Sequence, residues 1–306
     1  MRASEWALVA FTILSQMSVG TFVVLGIVHV FARRKYGEKA ADMLSDRALL
    51  AIGPVIILAF IASFFHLGNP FTAYRAVANL GSSWLSREIL AGVLFAIVGG
   101  IFAIMQWRKM GSETLRTVIA WIAALIGLFF VFAMSNVYMI ETVPTWDTVF
   151  TPLSFFTTTF LLGTLAVAAA YVASYAYVAR KQPEDARAQS DQLRWSLRGL
   201  AVTSIVLLGA VFVIIPSNLA YQYTGPLSGV LTIRNVVNEY GAVFLIRLVL
   251  VFLGAGLLAV ALIRNTLSEG RESTLSTLAY SAFALVLISE IMGRFVFYSS
   301  FVRIGL

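Results

Sequence analysis

Trp6 to Phe31 reads WALVAFTILSQMSVGTFVVLGIVHVF, 26 residues without an acid, a lysine or an arginine, closed by Arg33-Arg34-Lys35. At about 1.5 Å of rise per residue it crosses roughly 30 Å of hydrocarbon with turns to spare. A secretory apolar core runs only about 7 to 15 residues and follows its basic residues, whereas here the basic cluster comes after. The stretch is therefore read as a first membrane span. The rest of the chain has the same character: 59% of its 306 residues are hydrophobic and 12% charged, against about 45 to 50% and 25% in soluble domains. With a mean hydropathy of +0.87, a soluble enzyme, a disordered chain and a nucleic-acid binder are excluded.

Seven more apolar windows follow: Ala48 to Leu67, Ile89 to Trp107, Val118 to Ile140, Leu153 to Val178, Leu200 to Leu219, Ala242 to Ile263 and Leu275 to Tyr298. The expected fold is an all-α integral membrane protein, one eight-helix domain over residues 1–306, with Ala179 to Gly199 as the only linker-like connector. Fifteen of the 22 basic residues fall in the loops after spans one, three, five and seven. Five (Arg2, Arg75, Arg87, Arg234, Arg303) fall on the other side, and Arg247 and Arg294 sit within spans. Basic loops stay in the cytoplasm, so both termini are expected on the outer, periplasmic side. The net charge of +7 is spent on that orientation and implies no nucleic acid. With no cysteine the protein offers no disulfide, no thiolate zinc site and no ligands for an iron–sulfur cluster. A bis-histidine haem is not expected, because His29 and His66 lie at opposite ends of their spans, and no metal centre is assigned.

Charged groups in hydrocarbon cost about 2.5 to 3.5 kcal/mol each on insertion scales, so their placement is informative. Most converge on the outer leaflet: His66, Glu88, Asn136, Tyr138, Asn218, Tyr221, Arg247, Glu290, Arg294 and Tyr298. Structural readings stand beside functional ones. Glu290 and Arg294, at i and i+4, can neutralise each other as an intrahelical pair. Arg247 can anchor to Glu239 or to surface carbonyls, and Asn136 and Asn218 read as bonds between helices. Gly92, Gly99, Gly100, Gly254 and Gly256 read as packing surfaces, and Pro54 and Pro216 lie toward span ends. His66 and Glu88 flank a single outer loop and so stand at one depth on neighbouring helices, an arrangement suited to taking two protons from a dihydroxy-aromatic substrate.

The segment around that loop, Ser63-Phe64-Phe65-His66-Leu67-Gly68-Asn69-Pro70, then Ala73-Tyr74-Arg75-Ala76, then Ser83-Trp84-Leu85-Ser86-Arg87-Glu88-Ile89, resembles the membrane-anchor subunit of bacterial dimethyl sulfoxide reductase. Glu141-Thr142-Val143-Pro144-Thr145-Trp146 and Glu290-Ile291-Met292-Gly293-Arg294 with Phe297-Tyr298 extend the likeness over nearly the whole chain. The resemblance implies a molybdopterin catalytic subunit and an iron–sulfur subunit as partners, in a multi-pass anchor of the bacterial or archaeal cytoplasmic membrane. It implies that the anchor itself holds no haem, oxidises menaquinol near the outer face and passes electrons to the partner. His66 and Glu88 carry over as the proton-accepting pair. Trp84, Arg87, Tyr221, Arg247, Glu290 and Arg294 are placed around the quinol by depth. The alternatives are the same site run in reverse as a quinone reductase, a purely structural anchor, or a small-solute transporter.

Overall fold

In hydrocarbon, backbone N–H and C=O groups have only each other to bond, so each apolar run becomes a helix. The computed structural model describes residues 3–66, 78–181, 183–268 and 270–304; among these it contains eight helices long and apolar enough to cross a membrane and no strand. The chain runs α1 (Ala3–Tyr36), α2 (Glu38–His66), α3 (Trp84–Arg108), α4 (Glu113–Tyr138), α5 (Phe150–Lys181) and α6 (Pro183–Thr224). A short α7 (Leu227–Asn238) precedes a span made of α8 (Gly241–Val251), a π-helical segment (Phe252–Leu258) and α9 (Ala259–Asn265); α10 (Glu272–Ser299) is the last.

Two expectations change, and one connection not read beforehand takes shape. Ala179 to Gly199 is no linker, because α5 continues to Lys181 and α6 begins at Pro183; hydropathy marks where lipid ends and says nothing of where the helix does. Pro54 stands near the middle of the 29-residue α2, because α2 begins ten residues before its apolar window. The connection between spans six and seven is itself largely helical, with α7 burying Ser228, Gly229, Thr232 and Val236.

α1 and α5 form the centre, with 78% and 56% of their apolar windows buried against 22 to 33% for the other six. They meet backbone to backbone. A methyl group added to Gly20 would strike the carbonyl of Thr159, and one added to Gly163 would lie 2.5 Å from Gly20 O and 2.7 Å from Gly20 Cα. Water does not drive helices together inside lipid, and close approach at small residues recovers dispersion energy instead. Around this crossing pack Phe155, Leu161, Leu162, Val167 and Tyr171, while large side chains such as Ile57, Leu58, Phe65, Trp121 and Leu125 point outward from the bundle.

The two ends of the bundle are chemically different. At one end Asp42 and Asp46 of α2 accept from Gln106 at 3.0 Å each and from the Lys109 ammonium at 2.7 and 2.8 Å, and Arg33 pairs with Glu113. Lys109 caps α3 in the left-handed region with φ 54°, the one non-glycine to do so among the described residues. Burial disfavours its charge, but the hydrogen bonds it donates to both aspartates outweigh that and raise its pKa. A raised lysine pKa means that the stabilisation is fully present below the ordinary lysine value and is lost only as pH climbs through the raised one. Lys109→Met keeps the backbone strain and loses the ion pairs, so thermal unfolding in detergent is expected to show a loss of about 1 kcal/mol. Lys109→Gly removes both and is expected to be near neutral, since left-handed backbone costs a side chain about 1 to 2 kcal/mol. The opposite end carries the start of α1 beside the end of α10, where Trp6 stacks on Phe295 with centroids 5.3 Å apart.

Candidate functional site

At this second end Ser83 caps α3, its hydroxyl accepting from Ser86 N at 3.3 Å. With the helix phase so fixed, Ser86, Glu88, Ala91, Gly92 and Phe95 turn inward. Glu88 is 4% exposed and has no ion pair among the described residues. Its electrostatic neighbours are the hydroxyls of Tyr138 and Tyr298, which hydrogen-bond to each other at 2.8 Å. Tyr298 is also hydrogen-bonded with Thr12. Arg87, one position earlier, faces the other way. It donates to Leu80 O and Gly81 O at 2.9 and 2.7 Å and lies 4.4 Å over the Trp84 ring, and Trp84 in turn meets Phe132 edge-on. Below Arg87 a lipid-side groove of about 500 Å³ runs between α3 and α4 past Leu90, Ala91, Leu94 and Phe129. His66 is the last residue of α2, which packs on α3; its side chain, and residues 67–77 of the loop, lie outside the described residues.

On the far side of the tyrosine pair is a cavity of about 140 Å³ between α5, α6, α7, α8 and α10. Arg247, Glu290 and Arg294 line it, together with Asn218, Gln222 and Thr158. Glu290 and Arg294 do not form the intrahelical pair: Glu290 Oε2 accepts from Thr158 at 2.6 Å, and Arg294 donates to Gln16 Oε1 at 3.1 Å with its guanidinium 3.7 Å over Phe155. Arg247 has no ion pair with Glu239 among the described residues; its guanidinium lies against the backbone of α10, where a methyl on Gly293 would come within 2.5 Å of it. Glu290 Oε1, Arg247 Nε and Arg294 Nε are buried without a hydrogen-bond partner among the described residues. Asn136 and Asn218 bond within their own helices, to Phe132 O and from Gln222, where bonds between helices were expected. Tyr221, 54% exposed, meets the Phe150 ring at a tilt outside the cavity.

The predicted residues thus fall into two groups, Trp84, Arg87 and Glu88 at the start of α3, and Arg247, Glu290 and Arg294 around the cavity. Tyr138 and Tyr298 stand between them. Two sequence stretches quoted above for their family likeness also meet: Trp146 donates from Nε1 to Phe297 O at 3.2 Å and stacks on the Phe297 ring at 5.0 Å.

A family model described as DMSO reductase anchor subunit (DmsC) matches residues 1–300. The protein belongs to the DmsC family. It is 32% identical to the C-chain of anaerobic dimethyl sulfoxide reductase from Escherichia coli (strain K12), over 99% of its own length and 96% of that relative's. It is 30% identical, over the same shares, to the anaerobic dimethyl sulfoxide reductase protein YnfH of that organism. A shorter match, 33% identity over 28% of its length and 25% of the relative's, is to the C-subunit of sulfite dehydrogenase from Allochromatium vinosum. This DmsC-family protein is a multi-pass membrane subunit of a DMSO reductase-type oxidoreductase, and among its described residues no cluster of His, Asp or Glu is arranged to hold a metal ion.

Sequence reasoning missed Thr12, Gln16 and Thr158. Gln16 carried a signal, as the one carboxamide in the 26-residue apolar run of α1. Thr12 and Thr158 carried none, because a membrane-helix threonine ordinarily bonds back to its own i−3 or i−4 carbonyl, as Thr12 also does.

Proposed function

We propose that this protein oxidises menaquinol for a molybdopterin catalytic subunit through an iron–sulfur partner, in the cytoplasmic membrane, with the Glu88 end facing outward. The observation that carries the reading is Glu88: a carboxyl buried to 4% beside a hydrogen-bonded tyrosine pair, on a helix whose neighbouring face, from Arg87 to Leu94, lines a lipid-side apolar groove. Burial of this kind is costly and is retained where a proton is handled. The quinol head group sits between Glu88 and His66, with Trp84 and Arg87 at the mouth, and its isoprenoid tail lies in the groove between α3 and α4. Arg247, Glu290 and Arg294 stand behind it across the tyrosine pair. The outward direction rests on the basic residues, which concentrate in loops at the other end. Electrons pass to the partner and protons leave on the same outer side, so the subunit itself builds no gradient.

The test is the complex purified with its partners. Menaquinol is expected to reduce the partner's clusters and to drive reduction of dimethyl sulfoxide, the acceptor named for the relatives. A preparation that turns over with a dye donor and never with menaquinol overturns the reading. The sulfite dehydrogenase relative supports a second reading, with electrons running from a sulfur donor to menaquinone. Appearance of menaquinol on adding sulfite, without sulfoxide reduction, selects it.

A further inference from the structure

We propose that the cavity bounded by α5, α6, α7, α8 and α10 is the proton exit of the quinol site, reached from the Tyr138–Tyr298 pair by way of Arg294 and with Glu290 as its proton-relaying group; the inference rests on the quinol-oxidising reading above. Menaquinol gives up two protons with its two electrons. The electrons leave through the partner, but a proton taken by Glu88 is enclosed, since that side chain is buried.

Glu88 acts electrostatically on Tyr138 and Tyr298, whose hydroxyls bond to each other at 2.8 Å. A phenol accepts on its oxygen while releasing its own hydrogen. In the structure Tyr298 donates to Tyr138, so outward transfer needs both hydroxyls to turn: Glu88 then hands a proton to Tyr138, the Tyr138 hydrogen passes to Tyr298, and the Tyr298 hydrogen passes onward. Neither ring gains net charge, and nothing is oxidised. Beyond Tyr298 lies Arg294, which interacts electrostatically with both tyrosines and with Glu290 and lines the cavity. Its Nε has no partner among the described residues, nor have Glu290 Oε1 and Arg247 Nε. Leaving such atoms dry is costly, and a cavity of about 140 Å³ has room for several waters. Water hydrogen-bonded to these three groups completes the path to Glu290. From there the polar lining continues through Gln222, Thr232 and Ser300 to the end of the bundle.

The same volume argues against the cavity as the quinol pocket. An apolar cavity of about 150 Å³ takes a single benzene ring, and the menaquinol head has two fused rings. The charged groups facing Glu290 are Arg294 on its own helix and Arg247 on α8; α5 and α6 contribute the neutral Thr158, Asn218 and Gln222. With one oxygen held by Thr158 and the other without a partner among the described residues, the Glu290 side chain in the cavity lining is placed to pass a proton.

The assembled three-subunit complex is assayed with menaquinol, in H₂O and D₂O, for Glu290→Gln, Glu290→Asp and Tyr298→Phe. The dye-driven reaction serves as the assembly control. Glu290→Gln is expected to lower kcat about tenfold or more, to leave KM for menaquinol unchanged and to enlarge the solvent isotope effect; Glu290→Asp is expected to restore much of kcat. Tyr298→Phe is expected to lower kcat in the same way, and it decides the matter should Glu290→Gln fail to assemble. Unchanged kcat and isotope effect overturn the relay, and a raised KM at normal kcat instead makes Glu290 a quinol ligand. Should Glu88→Gln abolish quinol turnover while Glu290→Gln and Tyr298→Phe do nothing, only the relay falls. Should Glu88→Gln itself be silent, the parent reading falls.

Discussion

Glu88→Gln is expected to cut menaquinol-driven turnover of the assembled complex by about 10² to 10⁴-fold, the range that a positioned acid–base group contributes. The substitution keeps the size and shape of the side chain and its capacity to hydrogen-bond, but an amide accepts no proton at neutral pH. Structure is expected to survive, because burying a neutral amide in a site 4% exposed costs less than burying a carboxylate. Dye-driven turnover bypasses the membrane step and is expected to stay at the parental rate. Glu88→Asp retains the proton chemistry with a shorter reach toward the tyrosine pair and is expected to fall between the two. The measurement is steady-state turnover with each donor on one preparation. Normal quinol turnover in Glu88→Gln removes the carboxyl from the mechanism, and loss of both reactions assigns it to assembly.

The second large effect is on folding. Gly163→Leu is expected to prevent the subunit from accumulating in folded form, with a loss of about 3 kcal/mol or more. Overpacking is relieved cheaply when the obstacle is the end of a flexible side chain. Here the obstacle is the backbone of α1, since even a Cβ at position 163 lies 2.5 Å from Gly20 O and 2.7 Å from Gly20 Cα. The two central helices must part, and the packing of Phe155, Leu161, Leu162 and their neighbours goes with them. Gly20→Leu is expected to fail equally, because its Cβ meets the Thr159 carbonyl. Gly26→Leu, on the same helix with nothing within 4 Å of its Cβ, is the control and is expected to accumulate normally. Size-exclusion profiles of detergent extracts distinguish the three. A monodisperse, thermally stable Gly163→Leu protein removes the crossing from the account of the fold.

How far the site was legible differs from residue to residue. Glu88 and Glu290 were found because an acid in an apolar run is conspicuous whatever surrounds it. Their partners were not. Glu290 and Arg294 stand four residues apart, which is the spacing of an ion pair, yet Thr158 and Gln16 draw them apart to separate helices. Arg247 rests on Gly293 where a surface anchor was expected. Tyr138 and Tyr298 are 160 residues apart, and no local pattern joins them. The π-helical stretch at Phe252–Leu258 was equally silent, although Gly254 within it lies against Val286 and the Ala282 carbonyl of α10.

By itself the sequence determined the eight spans, the end of the bundle at which most costly residues gather, and the family motifs around His66, Glu88 and Glu290. Transfer of a residue into lipid is a local free energy, summed along the chain, and needs no knowledge of neighbours. That Glu88 acts on a tyrosine pair, and that two arginines and a glutamate line one cavity, follows from helix packing alone. Those facings depend on how each helix is rotated about its axis, and the rotation is set by crossings such as Gly20 against Gly163, where two backbones touch that are far apart in sequence.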